Sequence, residues 1–150
     1  MRITTYQTRF NEDRIVSIVK DKSNDCPAID QILSSENCVE MMEAVFDVSN
    51  LPEEWFWMIA LDGSHNVNGV FEISHGTATS ASVHPRDIFI RAILAEAVAI
   101  IIIHNHPSGS LHISEQDREV TRRIRQAGEL LGITLYDHLI IADGDYVSVT

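Results

Sequence analysis

Residues 98–103 read Val-Ala-Ile-Ile-Ile-Ile, and His104, Asn105 and His106 follow without a break. An unbroken β-branched run predicts a buried strand. The apolar stretch around it, residues 88–103, is interrupted by Arg91 and Glu96. It is too short and too charged to span a membrane, so it reads as a buried helix followed by a buried strand. Side chains two apart on a strand share a face, so His104 and His106 present two imidazoles to one side at the strand's end.

The rest of the chain supplies a setting for that strand. Its 150 residues suit one domain with a real core. Residues 55–61, Trp-Phe-Trp-Met-Ile-Ala-Leu, predict a central strand. Asp62, Gly63 and Asn66 mark a turn, and a strand over 67–74 completes an expected antiparallel hairpin. His84, Pro85 and Asp87 open a helix that should run to about residue 97 and be buried nearly all round. Val120, Ile124, Ala127 and Leu131 form one stripe of a helix over 114–131, which Gly132 stops. Residues 133–135 and 139–141 give two strand signals, and Asp143-Gly144 turns the chain into a last strand over 146–149. The N-terminal part is less legible: a short strand near 14–20, then loose helical spacing over 27–46. Pro52 suggests a joint, giving an appendage over residues 1–50 and a domain over 51–150. The class is α/β, mixed and α+β-like: a central mixed sheet flanked by helices.

The chemistry gathers between His104 and Asp117. After His106, Pro107 and Gly109 turn the chain back, and Asp117 falls in the first turn of the next helix. Two imidazole nitrogens and one carboxylate oxygen match a catalytic zinc site with a fourth position for water. Each part also has a plain reading. A lone His-x-His is a weak signal, and Ser114-x-x-Asp117 is also a capping box. The literal letters His-Asn-His do not make an HNH nuclease, whose residues are dispersed over a ββα unit.

Taken together, a buried strand ending in His-x-His, seven intervening residues of which the first is Pro107, and Ser-x-x-Asp opening a helix resemble the JAMM motif of the JAB/MPN metalloprotease superfamily. Within it, residues 104–109 (His-Asn-His-Pro-Ser-Gly), His84-Pro-Arg86, Asp137-His138 and Gly144-Asp-Tyr-Val-Ser148 look like the RadC family, over about 53–148. The resemblance implies a JAB/MPN, cytidine-deaminase-like architecture. It implies one Zn²⁺ per chain on His104, His106 and Asp117, with Glu54 as general base and Ser114 as oxyanion donor. Glu53 is the rival of Glu54, which alternation would turn to the other face. Asn105 and Ser108 are read as shaping the turn, and Asp137 and His138 as outer support for the site. The usual helix-hairpin-helix segment of RadC-like proteins has no match in the N-terminal part, so a short-form member is expected. A proline common before the serine is replaced here by Ile113.

The implied function is a zinc-dependent hydrolase of peptide or isopeptide bonds, with a protein or peptide substrate. Two alternatives stand beside it: a DNA-associated protein, after the family's repair label, and a non-catalytic interaction module stabilised by metal. The net charge of −11 weighs against a broad phosphate-binding face. Arg118, Arg122 and Arg125 could share one helix face, and pairing with neighbouring glutamates is the plainer account. Val147 and Val149 could form an edge strand that pairs with a second copy, so a homo-oligomer is open. Cys26 and Cys38 match no CxxC pattern and read as reduced thiols, with a disulfide left open by counting. No apolar signal core follows Met1, so a cytoplasmic location is expected, with no membrane partner.

Overall fold

A computed structural model describes residues 1–76 and 83–150. Its strands are β1 (Arg2–Phe10), β2 (Val16–Asp25), β3 (Glu54–Leu61), β4 (Val67–Gly76), β5 (Ala99–Asn105), β6 (Thr134–Ala142) and β7 (Asp145–Ser148). Its helices are α1 (Ser35–Phe46), α2 (Pro85–Leu94) and α3 (Glu115–Leu131). Among the described residues the strands form one sheet in the order β2-β1-β4-β3-β5-β6-β7. β1–β4 and β5–β6 pair in parallel, while β1–β2, β3–β4, β3–β5 and β6–β7 are antiparallel. This is the mixed α/β sheet flanked by helices that the sequence implies.

The isoleucine run sits at the middle of that sheet, and each of its faces meets a different core. Ile101 and Ile103 join Trp57, Ile59, Leu139 and Ile141 beneath Cys38, Met41 and Met42 of α1. Ile100 and Ile102 join Met58 and Ala60 against Ile88, Phe89 and Ala92 of α2 and Val120 and Ile124 of α3. A period of two on a strand covered by both layers leaves no position for a polar residue, which is why the run is continuous.

The N-terminal part differs most from its sequence reading. β1 and β2 are nine and ten residues long, where only a short strand near 14–20 is legible. Arg2–Phe10 buries little besides Ile3, so pairing with β2 and β4 holds it rather than an apolar face. α1 starts at Ser35 instead of near residue 27, because Ser34 caps it by accepting from the Asn37 amide. Both strands enter the same sheet, and α1 fills the lower core of β3, β5 and β6.

Other boundaries shift for local reasons. α2 ends at Leu94, and Glu96 takes a left-handed φ of 51° that turns the chain into β5. Its outer face is open, with Ile93 54% exposed, so it is not buried all round. The two strand signals near 135 and 140 are one strand, β6. Asp137 and His138, which look like an interruption, are buried there with partners on opposite faces. Cys26 and Cys38 are both buried free thiols, and burial together with nearby Asp137 pushes the Cys38 thiol well above its usual range. No described helix is long and apolar enough to cross a membrane.

α3 ends in a close approach that offers a test. Gly132 adopts φ 73° as its C-terminal cap, and the Ile133 amide returns to the Gly128 carbonyl at 2.9 Å. A Cβ on Gly128 would lie 2.3 Å from the Ile133 carbonyl oxygen and 3.3 Å from Phe89. In an open helix interior, Gly→Ala stabilises by up to about 1 kcal/mol. Here the obstruction is backbone, so Gly128→Ala is expected to destabilise by roughly 1–3 kcal/mol in urea titration. A stabilised variant would refute this account of the α3–β6 junction.

Candidate metal centre

The sheet positions the two histidines. His104 closes the regular β3–β5 ladder opposite Phe56, and the Phe56 ring stacks on the His104 ring at 5.6 Å and 8°. His104 is 1% exposed and His106 is partly buried. The turn after β5 is closed by the Gly109 amide donating to the His106 carbonyl at 3.0 Å.

Hydrogen bonding to the other ring nitrogens fixes what the two imidazoles offer. The Thr121 hydroxyl donates to the Asp117 carbonyl at 2.6 Å, so its oxygen accepts from His138 Nδ1 at 2.6 Å. Burial, and then the neighbouring His104, push the His138 pKa down to about 3, so its ring is neutral. His138 Nε2 is therefore an acceptor, and His104 Nδ1 donates to it at 2.9 Å. That leaves a lone pair on His104 Nε2. His106 Nδ1 donates to the Ser110 carbonyl at 2.7 Å, which likewise frees His106 Nε2.

These two lone-pair nitrogens face each other at 2.9 Å. Asp117 Oδ1 adds a third acceptor 3.2 Å from His104 Nε2. Burial opposes the charge on Asp117, but His104 and the Ser114 hydroxyl and amide outweigh it and hold the carboxyl well below the usual range. Two facing nitrogen lone pairs, with a carboxylate oxygen beside one of them, are chemically suited to a divalent cation. The donor set therefore fits a metal ion.

Glu54 reaches the same place from β3. It is partly buried, and its carboxylate forms with the two imidazoles a set whose ligand atoms lie within 4.8 Å of one another. Glu53 is exposed. Asp117 is outside that mutual set and joins it at His104. Ser114 joins through Asp117: its hydroxyl donates to Oδ2 at 2.6 Å and its amide donates to the same oxygen at 2.8 Å. The capping box is complete, since the Asp117 amide also donates to the Ser114 hydroxyl at 3.1 Å.

The expected outer support divides in two. His138 backs His104, whereas Asp137 faces the α1 side and accepts from the hydroxyls of Ser35, Ser148 and Thr150. Sequence reading missed Thr121, whose only signal is its place four residues after Asp117, and the Phe56 ring. The arginines expected to share a helix face are partly spoken for, since Arg122 bonds Glu119 and Gln126.

His138 carries a pH dependence whose sign is fixed. Its folded pKa of about 3 lies below the ordinary 6.5, so protons bind the unfolded chain first. The stabilisation is complete above pH 6.5 and is lost as pH falls from there towards 3. Metal-free protein is expected to lose about 2 kcal/mol from this group between pH 7 and pH 5. His138→Gln should flatten the profile in urea titrations at the two pH values. An unchanged slope would count against this assignment.

A mixed sheet with a strand-end His-x-His, a glutamate on the adjoining strand and a helix-capping aspartate defines an α/β domain with a candidate metal centre. Residues 32–150 match the family model described as a RadC-like JAB domain, and the chain belongs to that family. It is 38% identical over 103 residues to a UPF0758 protein of Pelobacter propionicus, covering 69% of this chain and 45% of that protein. A UPF0758 protein of Thermotoga maritima is 39% identical over 113 residues, covering 75% and 51%. One from Desulforudis audaxviator is 46% identical over 96 residues, covering 64% and 42%. The chain thus spans about half the length, or less, of these curated relatives.

Proposed function

We propose that this domain is a zinc-dependent hydrolase of peptide or isopeptide bonds. The observation that carries the reading is the facing pair His104 Nε2 and His106 Nε2, grouped with the Glu54 carboxylate and with Asp117 Oδ1 3.2 Å from His104 Nε2. Two nitrogens and one oxygen suit zinc over magnesium or calcium. Zinc bound there would polarise the scissile carbonyl and make hydroxide available near neutral pH. Glu54 takes the proton of the attacking water on a carboxylate oxygen and gives it to the leaving amine. Ser114, turning its proton from Asp117 Oδ2, stabilises the oxyanion, while its amide keeps Oδ2 in place.

The substrate is protein or peptide, in keeping with a chain of net charge −11, and the two buried free thiols suit a reducing cytoplasm. The test is a library of peptides and lysine-linked isopeptides incubated with zinc-loaded protein and read by mass spectrometry. Cleavage that stops with a chelator and returns with zinc supports the reading. Absence of cleavage across the library by fully loaded protein overturns it.

A further inference from the structure

We propose that Asn105 is the positioning residue of Glu54, an inference that rests on the hydrolase reading of the site. Asn105 lies between the two histidines in the chain and is 2% exposed. Its side chain is turned against β3. Asn105 Oδ1 accepts from the Trp55 amide at 2.7 Å, and Nδ2 donates to the Glu53 carbonyl at 2.9 Å. Those two groups belong to the peptide units on either side of Glu54, so one planar amide grips the backbone of the base from both ends.

The register explains why a side chain does this work. The β3–β5 ladder ends at Phe56 opposite His104, and one step further Trp55 comes level with Asn105. The carboxamide carries a donor and an acceptor in the plane of a peptide group, so it extends the pairing by one position. On its other edge β3 stays paired to β4, through Glu54 with Gly76 and Trp55 with His75. No described residue hydrogen-bonds the Glu54 carboxylate itself. Its place within 4.8 Å of the imidazoles is set by where its backbone is held. The segment that supplies the two nitrogens therefore also sets the distance to the base. Alanine lacks both contacts, aspartate lacks the donor, and glutamine is longer by a methylene.

The experiment uses the full chain loaded with cobalt(II) in place of zinc, whose visible spectrum reports groups close to the ion. Wild type, Glu54→Gln, Asn105→Ala and the double variant are compared, with metal affinity from chelator competition and Trp55 amide exchange from NMR. Glu54→Gln is expected to change the spectrum. Asn105→Ala should move it most of the way to the same end point, with no further change in the double variant. Trp55 amide exchange should quicken roughly tenfold in Asn105→Ala. Metal affinity should stay within about threefold of wild type, unlike loss of a partner to a ligand. If Asn105→Ala does not fold, Asn105→Ser serves, because one hydroxyl cannot reach both peptide groups. A wild-type spectrum and slow Trp55 exchange in the Asn105 variant, with an altered Glu54→Gln spectrum, overturn the positioning role alone. Metal affinity lost tenfold or more also overturns it, since Asn105 would then serve the ligands. A Glu54→Gln spectrum identical to wild type overturns the role of Glu54 as base and the inference with it.

Discussion

Changing His104 and His106 together to alanine is expected to abolish zinc uptake by protein purified without added metal. Wild type should carry close to one zinc per chain, and the variant should carry a background trace by elemental analysis. The argument is a count of donors. Each Nε2 is freed because the other nitrogen of its ring donates to a fixed acceptor, His138 for one and the Ser110 carbonyl for the other. The double change removes both nitrogens and leaves Asp117 and Glu54, two carboxylates from different elements. Loss of an outer partner alone costs roughly 10–100-fold in affinity, and loss of two ligands must exceed that. Unaltered zinc content in the variant would show that the ion binds elsewhere and would end the site as described.

Glu54→Gln is expected to lower amide hydrolysis by roughly 10²–10⁴-fold, the usual range for a removed general base. Zinc content and the denaturation midpoint should stay close to wild type. Glutamine keeps the size and polarity of the side chain and loses only the ability to take up a proton. Glu54 is partly buried, and surface-like substitutions of this kind usually stay within about 0.5 kcal/mol. The combination of intact metal and lost turnover separates a hydrolase from a metal-stabilised interaction module. Full activity in Glu54→Gln would require another proton acceptor at the site.

Much of this was legible in residue patterns, and the gaps have physical causes. Four isoleucines followed by His-x-His predict the central strand and the shared face of its imidazoles, because burial on both faces leaves a pattern that chance rarely makes. Asp117 reads as both capping-box acid and candidate ligand, and it closes the capping box through Oδ2 while turning Oδ1 to His104. β1 is not legible, since all of Arg2–Phe10 but Ile3 is exposed or half-buried and held by backbone pairing, which leaves no apolar period. β6 reads as two pieces in the sequence because Asp137 and His138 look like a polar break. A buried polar residue is recognisable only once its partner is known, and their partners lie 102 and 34 residues away. Asn105 reads as a turn residue in the sequence for the same reason: its contacts lie 50 and 52 residues back.

The antiparallel pairing of β3 with β5 has a consequence for the order in which the site assembles. His104, His106 and Asp117 belong to one strand–turn–helix unit and are brought together by closing a short loop. Glu54 arrives only when a strand some fifty residues upstream docks alongside. Closing the longer loop adds little entropy, about 0.6 kcal/mol per doubling, but it requires the tertiary pairing itself. On the proposed function, ion capture would thus be a local property of the chain, whereas the base would depend on the completed sheet. A partly folded chain would hold metal without turnover, and excess zinc would stabilise the native state by less than its native affinity implies, because the unfolded chain competes for it.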